Sequence, residues 1–209
     1  MLREQLTAGL NELGLTLQAF QIEQLLAYVG LLEKWNKTYN LTAVRKPRDM
    51  ISHHLLDSLA ILPWVSGDSL VDVGSGAGLP GIPLAIARPN MAVTLVDSLG
   101  KRCRFLSHVV RELKLSNISV VESRAEDWTA TEQPALITAR AVAALPLLLE
   151  QTRHLFASET VMLAAKGRWP QLELEALPAD FCLAESIKLN IPGVAGERHL
   201  LRITLKNNQ

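Results

Sequence analysis

Cysteine is scarce. Cys103 and Cys182 are the two present and no C-x-x-C pair occurs, which removes a disulfide framework and a cysteine zinc site and favours a reducing compartment. An excess of either charge is also missing: lysine plus arginine and aspartate plus glutamate each total 21. The whole chain therefore offers a polyanion no attraction, and any nucleic-acid role has to rest on local patches. Long apolar runs are lacking too. The longest uncharged stretch, Val73 to Ala87, has 15 residues broken by glycine and proline, where a spanning helix needs about 20 mostly apolar ones. Glu4, Gln5, Asn11 and Glu12 interrupt the early leucines, so no secretory signal core forms and a cytoplasmic location with no membrane association is expected. What remains, 48% hydrophobic and 20% charged residues over 209 positions, suits one main globular domain with a modest extension.

Helical spacing dominates the first third. Leu2, Leu6, Leu10 and Leu13 mark a short helix ended by Gly14, and Phe20, Leu25, Val29, Leu32 and Trp35 mark a second that stops between Asn36 and Asn40. A third runs from Pro47 through Ile51, Leu55, Leu59 and Leu62 to Pro63. No flexible linker follows, so residues 1–66 are expected to cap the core formed by residues 67–209. From Leu70 short apolar runs alternate with helical segments, the pattern of a doubly wound α/β sheet covered on both faces. Seven strands are predicted, at Leu70–Val73, Val93–Val96, Ile118–Val121, Leu136–Ala139, Val161–Ala165, Cys182–Leu189 and His199–Leu205. The last two lack an intervening helix and should pair antiparallel at the sheet's edge. Crossover helices are expected at Leu79–Arg88, Lys101–Leu115, Ala143–Phe156 and Gln171–Leu177.

The sharpest motif is V-D-V-G-S-G-A-G-L-P-G, Val71 to Gly81, where a strand gives way to a helix. Gly74 and Gly76 allow a tight turn and close backbone approach, and Gly78 brings helix-start amides toward a ligand at the sheet edge. A Walker loop would continue with lysine and a hydroxyl, but Ile82 and Pro83 follow Gly81, so nucleotide hydrolysis is unsupported. Asp72 can hold an ammonium or orient the loop; an acid there disfavours a pyrophosphate and suits the cationic, phosphate-free S-adenosyl-L-methionine. Asp97, at the end of the second strand, can accept ribose hydroxyls or cap the helix led by Leu99. Arg124, Ala125 and Glu126 follow the third strand, either near an adenine that Leu99 or Ala125 packs against or as a surface helix start.

Lys101, Arg102, Arg104, Arg111 and Lys114 oppose only Glu112 along Leu99–Leu115, and Lys34, Lys37, Arg45, Lys46 and Arg48 oppose only Asp49 between Lys34 and Asp49. Both stretches could take RNA, with Trp35 or Tyr39 as stacking platforms, or could be solvated helix faces. Arg140, Lys166 and Arg198 sit at strand ends; parallel-sheet logic exposes the first two beside the cofactor, where arginine can fork onto phosphate or a guanine edge. Alternation should turn His199 away from Arg198. His54 and Asp57 either close over the site or make an internal polar contact. No metal site is predicted, since no third ligand accompanies His53 and His54.

The chain resembles the RsmG/GidB family of bacterial 16S ribosomal RNA methyltransferases. The matching blocks are K-W-N-K-T-Y-N-L-T (Lys34–Thr42), H-L-L-D-S (His54–Ser58), D-V-G-S-G-A-G-L-P-G (Asp72–Gly81), L-V-D-S-L-G-K-R (Leu95–Arg102), Lys166-Gly167 and G-E-R-H-L (Gly196–Leu200). The resemblance implies a class I, Rossmann-like S-adenosylmethionine-dependent methyltransferase with a seven-stranded, mostly parallel sheet, an antiparallel edge and an N-terminal helical extension. It implies transfer to N7 of a guanosine in the 530 loop, within the small ribosomal subunit or an assembly intermediate, by a monomer acting on RNA and not DNA. It places Asp72, Gly74, Gly76, Gly78, Asp97, Arg124, Ala125, Glu126 and Arg140 at the cofactor, where the residues by themselves also set Leu99. Lys34, Lys37, Lys101, Arg102, Arg124, Arg140, Lys166 and Arg198 fall toward RNA, with Arg140, Lys166 and Arg198 positioning the substrate and no residue serving as general base. The family's usual Ser-Arg-Ala is Ala139-Arg140-Ala141 here, so any hydroxyl contact at that position is missing. The residues alone leave two other readings: a methyltransferase with a different RNA, protein or small-molecule acceptor, or a noncatalytic RNA-binding assembly module.

Overall fold

The computed structural model describes residues 1–206. Seven strands form one sheet: β1 Ser69–Val73, β2 Ala92–Asp97, β3 Ile118–Glu122, β4 Leu136–Arg140, β5 Val161–Lys166, β6 Phe181–Lys188 and β7 His199–Leu205. Their order is β3-β2-β1-β4-β5-β7-β6. β1 to β5 run parallel, and β7 lies antiparallel between β5 and β6. The order reverses at β1, flanked by β2 and β4, and at such a reversal a crevice opens beyond the carboxyl ends of the strands.

Strand alternation sorts side chains onto two faces. Leu70 of β1 joins the larger apolar cluster with Ile82, Phe105 and Leu106, whereas Val71 and Val73 join a second cluster with Leu145, Leu148 and Leu149. These partners lie on α5 (Gly81–Ala87) and α6 (Gly100–Glu112) over one face and α7 (Leu145–Thr152) over the other; α8 (Gln171–Glu175) adds Leu174 beside α7. α7 is shorter than predicted, because its last residues tighten into a 3-10 turn at Arg153–Leu155.

The larger cluster continues into the N-terminal helices without a break. Leu6 and Leu10 of α1 (Leu2–Glu12) and Leu25, Tyr28, Val29 and Leu32 of α2 (Ala19–Tyr39) are buried in it. Phe20, expected on this stripe, is 55% exposed. Helical rotation brings Gln21 and Tyr28 to the buried side instead, where Gln21 Nε2 donates to the carbonyls of Ile86 (2.8 Å) and Ala87 (3.1 Å) at the end of α5. Helix carbonyls at a C-terminus have no intrahelical partner, so a buried amide is favoured over a ring at that point.

The third predicted helix is not continuous. α3 (Pro47–Met50) passes into a π-helical turn, Ile51–Leu56, then α4 (Asp57–Leu59), and Pro63 lies inside a 3-10 turn, Leu62–Trp64, rather than beyond the end. A 3.6-residue pattern cannot reveal the extra residue that a π turn absorbs.

The extension also reaches the glycine loop: the buried Tyr28 hydroxyl donates to the Ala77 carbonyl at 2.7 Å. Tyr28→Phe leaves that carbonyl unpaired and should cost about 1–3 kcal/mol. Equilibrium urea unfolding checks this, and an unchanged midpoint would show that the bond adds no net stability.

Candidate active site

β1 ends at Val73, and the following loop carries the chain to α5 across the carboxyl edge of the sheet. α5 begins at Gly81 rather than Leu79, and Gly78 (φ 89°) is left-handed in the turn before it. The glycines do different work. Gly76 (φ 59°) faces open space, where a Cβ would find Gly74 O as its nearest neighbour at 3.8 Å, whereas a Cβ on Gly78 would run into Ile82 and Leu106. Gly78 thus packs against α5 and α6 and does not line the cavity, contrary to its expected cofactor contact.

Asp72 corrects a second expectation. Its side chain is fully buried beneath the loop, away from the cavity, and cannot meet an ammonium there. Oδ2 accepts from the Gly81 amide (3.0 Å) and Oδ1 from the Thr138 hydroxyl (3.0 Å), so it orients the loop. Burial pushes its pKa up to about 7, with the Gly81 amide, Thr138 hydroxyl and Arg140 charge opposing the rise.

Asp97 lies at the front of the same loop. Its Oδ2 accepts from Gly76 N (2.8 Å) and Arg102 Nη1 (3.2 Å), and its Oδ1 accepts from Leu99 N (2.9 Å). A carboxylate has roughly four acceptor positions, so one is left on Oδ1. Leu99 itself is exposed at the start of α6 and outside the cavity, so its expected packing on a ligand ring is absent from this arrangement. A cavity of about 510 Å³ opens here, with Gly74, Gly76 and Asp97 on one side and Arg124, Ala125 and Glu126 on another.

A second cavity of about 410 Å³ adjoins the first, and His54, Arg140 and Ala141 line both. Arg140, expected to be exposed beside the cofactor, and Arg198 converge on one carboxylate. Arg140 Nη1 donates to Asp57 Oδ2 (2.7 Å) and His53 O (3.2 Å), and Arg198 Nε donates to Asp57 Oδ1 (3.1 Å). Two half-buried guanidinium groups side by side would repel each other and lose solvation, and Asp57 offsets both effects. Lys166 is likewise engaged, donating to Glu173 Oε2 (2.7 Å) and Ala143 O (3.2 Å). Burial raises the Glu173 pKa, but Lys166 and the Leu145 amide outweigh it and hold the carboxyl below its ordinary range. Arg140, Lys166 and Arg198 against Asp57 and Glu173 leave one positive charge in excess around the second cavity.

His199 does not turn away. It lines the second cavity with Arg198, because β7 begins at His199 and alternation does not extend back to Arg198. Its Nδ1–H donates to Gly167 O (3.1 Å) and its ring meets Trp169 edge-on. Burial, then the Arg140 charge, pushes the His54 pKa down to about 4. His54 is therefore neutral at neutral pH, with Nε2 against Thr42 Oγ1 at 2.9 Å. Lys34, Lys37 and Lys101 line neither cavity, while Arg102 lines the first. Trp35 and Tyr39 stack on each other with centroids 5.2 Å apart, and Trp35 also meets Phe105 and His108, so each ring already has an aromatic partner. Sequence reading missed Thr138 and Glu173, which carry no motif, and left Asp57 undecided between lid and internal contact.

The family profile described as GidB, rRNA small subunit methyltransferase G, matches residues 21–201. The ribosomal RNA small subunit methyltransferase G of Ectopseudomonas mendocina (strain ymp) is 53% identical over 200 residues, covering 95% of this chain and 94% of that protein. The protein of the same name from Idiomarina loihiensis is 45% identical over 206 residues, covering 99% and 100%. Among solved structures, a protein of the NADB-Rossmann superfamily from Streptococcus agalactiae superposes with a TM-score of 0.61 at 14% identity, covering 73% of this chain and 69% of that one. The N-methyltransferase NodS from Bradyrhizobium japonicum WM9 gives 0.53 at 16%, covering 72% and 91%. These two likenesses concern the fold alone.

The raised Asp72 pKa makes a signed prediction. A folded acid that keeps its proton above the unfolded value of 3.8 binds more protons than the unfolded chain, so its contribution to stability falls as pH rises from about 4 to about 7. Urea unfolding across that range should show the parent losing stability relative to Asp72→Asn as pH increases. Parallel curves for the two proteins would mean that Asp72 does not titrate there.

Proposed function

The chain belongs to the rRNA small subunit methyltransferase G family, and on that premise we propose that it transfers a methyl group from S-adenosyl-L-methionine to N7 of a guanosine in the 530 loop of 16S rRNA. The observation that carries this reading is the wall common to the two cavities at His54, Arg140 and Ala141, which puts a ligand in one within reach of a ligand in the other.

The first cavity suits the methyl donor. Its glycine edge is open at Gly76, no lysine lines it, and Asp97 keeps an acceptor position for a ribose hydroxyl. A second hydroxyl bond requires Arg102, whose side chain is 37% exposed, to swing off Asp97. Arg124, Ala125 and Glu126 form the wall nearest an adenine. When bound, S-adenosylmethionine supplies an electrophilic methyl group on a sulfonium sulfur.

The second cavity suits the acceptor nucleotide, whose phosphate is attracted by the local positive excess. Arg140 and Arg198 each keep guanidinium N–H groups beyond those given to Asp57, available to a phosphate or to guanine O6. Guanine N7 already presents a lone pair, so no proton has to leave before attack. His54 is neutral and engaged with Thr42, and His199 is bonded to Gly167, so neither is needed as a base. The chain's task is to hold an unstacked guanine in line with the methyl carbon, with Arg140 at the junction. We take the acting form to be a cytoplasmic monomer working on the small subunit or an assembly intermediate.

Incubation with small subunits lacking the modification, followed by nucleoside analysis, should yield 7-methylguanosine in the 530 loop. Asp97→Ala should weaken donor affinity about 10-fold or more through loss of charge-assisted bonds. Arg140→Ala should retain most donor affinity and lower kcat/KM for the subunit. Calorimetry and product assays separate the two effects. A different methylated nucleoside, or none despite verified donor binding, would overturn the reading.

A further inference from the structure

A third cavity, about 550 Å³, lies outside the site described above, between α6 and β3, with Trp35 the one residue of α2 in its lining. Trp35, Arg104, Ser107, His108, Arg111 and Glu122 are among its lining residues. Along α6, Lys101, Arg104, His108 and Arg111 recur at steps of three and four, so they share one exposed face over about 15 Å. Phe105, Leu106 and Val109 occupy the opposite, buried face. The stripe begins at the rim of the first cavity, since Arg102 in the same first turn lines that cavity. Lys34 and Lys37, near Trp35 in sequence, are exposed on α2 but do not line the cavity.

The charge in this groove is largely uncompensated. Lys34, Lys101 and Arg104 have no carboxylate within 4.0 Å among the described residues. Arg111 meets Glu112 at 3.6 Å and Lys37 meets Glu33 at 3.9 Å, both exposed pairs of the kind worth little in water. Glu122 is the one acid among the lining residues. Trp35 stacks on Tyr39 and meets His108, so the rings at the groove are engaged with one another while Arg104 and Arg111 are exposed. Such a surface takes a phosphodiester backbone and reads no base.

We infer that the groove along α6 beside β3 is a second RNA contact, which grips the ribose-phosphate backbone of 16S rRNA flanking the target and feeds it toward the first cavity. The inference rests on the rRNA methyltransferase reading. Its partner is fixed by charge complementarity: Lys101, Arg104 and Arg111, about one and two helical turns apart on α6, face a chain that carries a negative charge at every nucleotide. A neutral protein gains most from such a track, because its overall charge supplies no long-range attraction.

The test uses Arg104→Ala/Arg111→Ala in the full chain, with small subunits lacking the modification and a protein-free 16S rRNA fragment holding the 530 loop as probes. The double variant should bind S-adenosylmethionine like the parent and keep kcat, while KM for the subunit rises. Its log–log salt slope for RNA binding should fall by about 1.4–1.8, the loss of two phosphate contacts. Arg104→Lys/Arg111→Lys should restore the slope, since a phosphate contact needs only the charge, whereas a packing role for the arginines would not be rescued.

An active parent with the same KM and slope in the alanine variant overturns the groove and leaves the functional reading intact. Loss confined to assembled subunits, with fragment binding unchanged, assigns the groove to an acidic ribosomal protein surface and also overturns it. A parent that binds donor but methylates no subunit overturns both.

Discussion

Asp72 and Asp97 stand at the carboxyl ends of adjacent parallel strands and between them hold the turn from Val73 to Gly81 in place. Asp72 grips the far end from beneath through the Gly81 amide, and Asp97 grips the middle from the front through the Gly76 amide. The loop has no secondary structure of its own, so these charge-assisted bonds decide where its amides point. They also explain why the two acids are not interchangeable. One is sealed in the core, where burial favours its protonated form, and the other keeps an acceptor position toward the cavity.

The second cavity is organised by the same balance of charge. Strand ends deliver Arg140, Lys166 and Arg198 to one edge, where unpaired cations would repel each other in a partly dehydrated space. Asp57 answers two of them and Glu173 the third. The pairing holds the cations in fixed positions while leaving guanidinium donors for an anion. Such preorganisation lowers the ordering cost of binding an anion there.

Asp57 comes from the helical extension, which is therefore part of the site. The π-helical turn Ile51–Leu56 leads directly into it and also places His54 on the wall common to both cavities. Tyr28 ties the extension to the glycine loop, and Gln21 closes the end of α5. The N-terminal helices and the sheet share one apolar cluster, and α2 is bonded to the loop through Tyr28.

Local periodicity and glycine placement made the strands legible from sequence, each within two residues of its observed bounds, and put the loop and Asp97 at one edge. Those features follow from interactions between neighbours in the chain, or from the rule that parallel strands end together. Pairings across the fold were not legible. Arg140 meets Asp57 across 83 positions and Arg198 meets it across 141, separations at which no spacing rule operates. The same holds for the burial of Asp72 under Gly81, the closure of the Trp35 ring between Tyr39 and His108, and the turning of Gln21 inward in place of Phe20. The sequence by itself determined which backbone edge would carry the chemistry, because hydrophobic rhythm and glycine torsions are local properties. Tertiary structure alone decided which charges at that edge remain available, because a charge is neutralised or left free according to what distant segments bring against it.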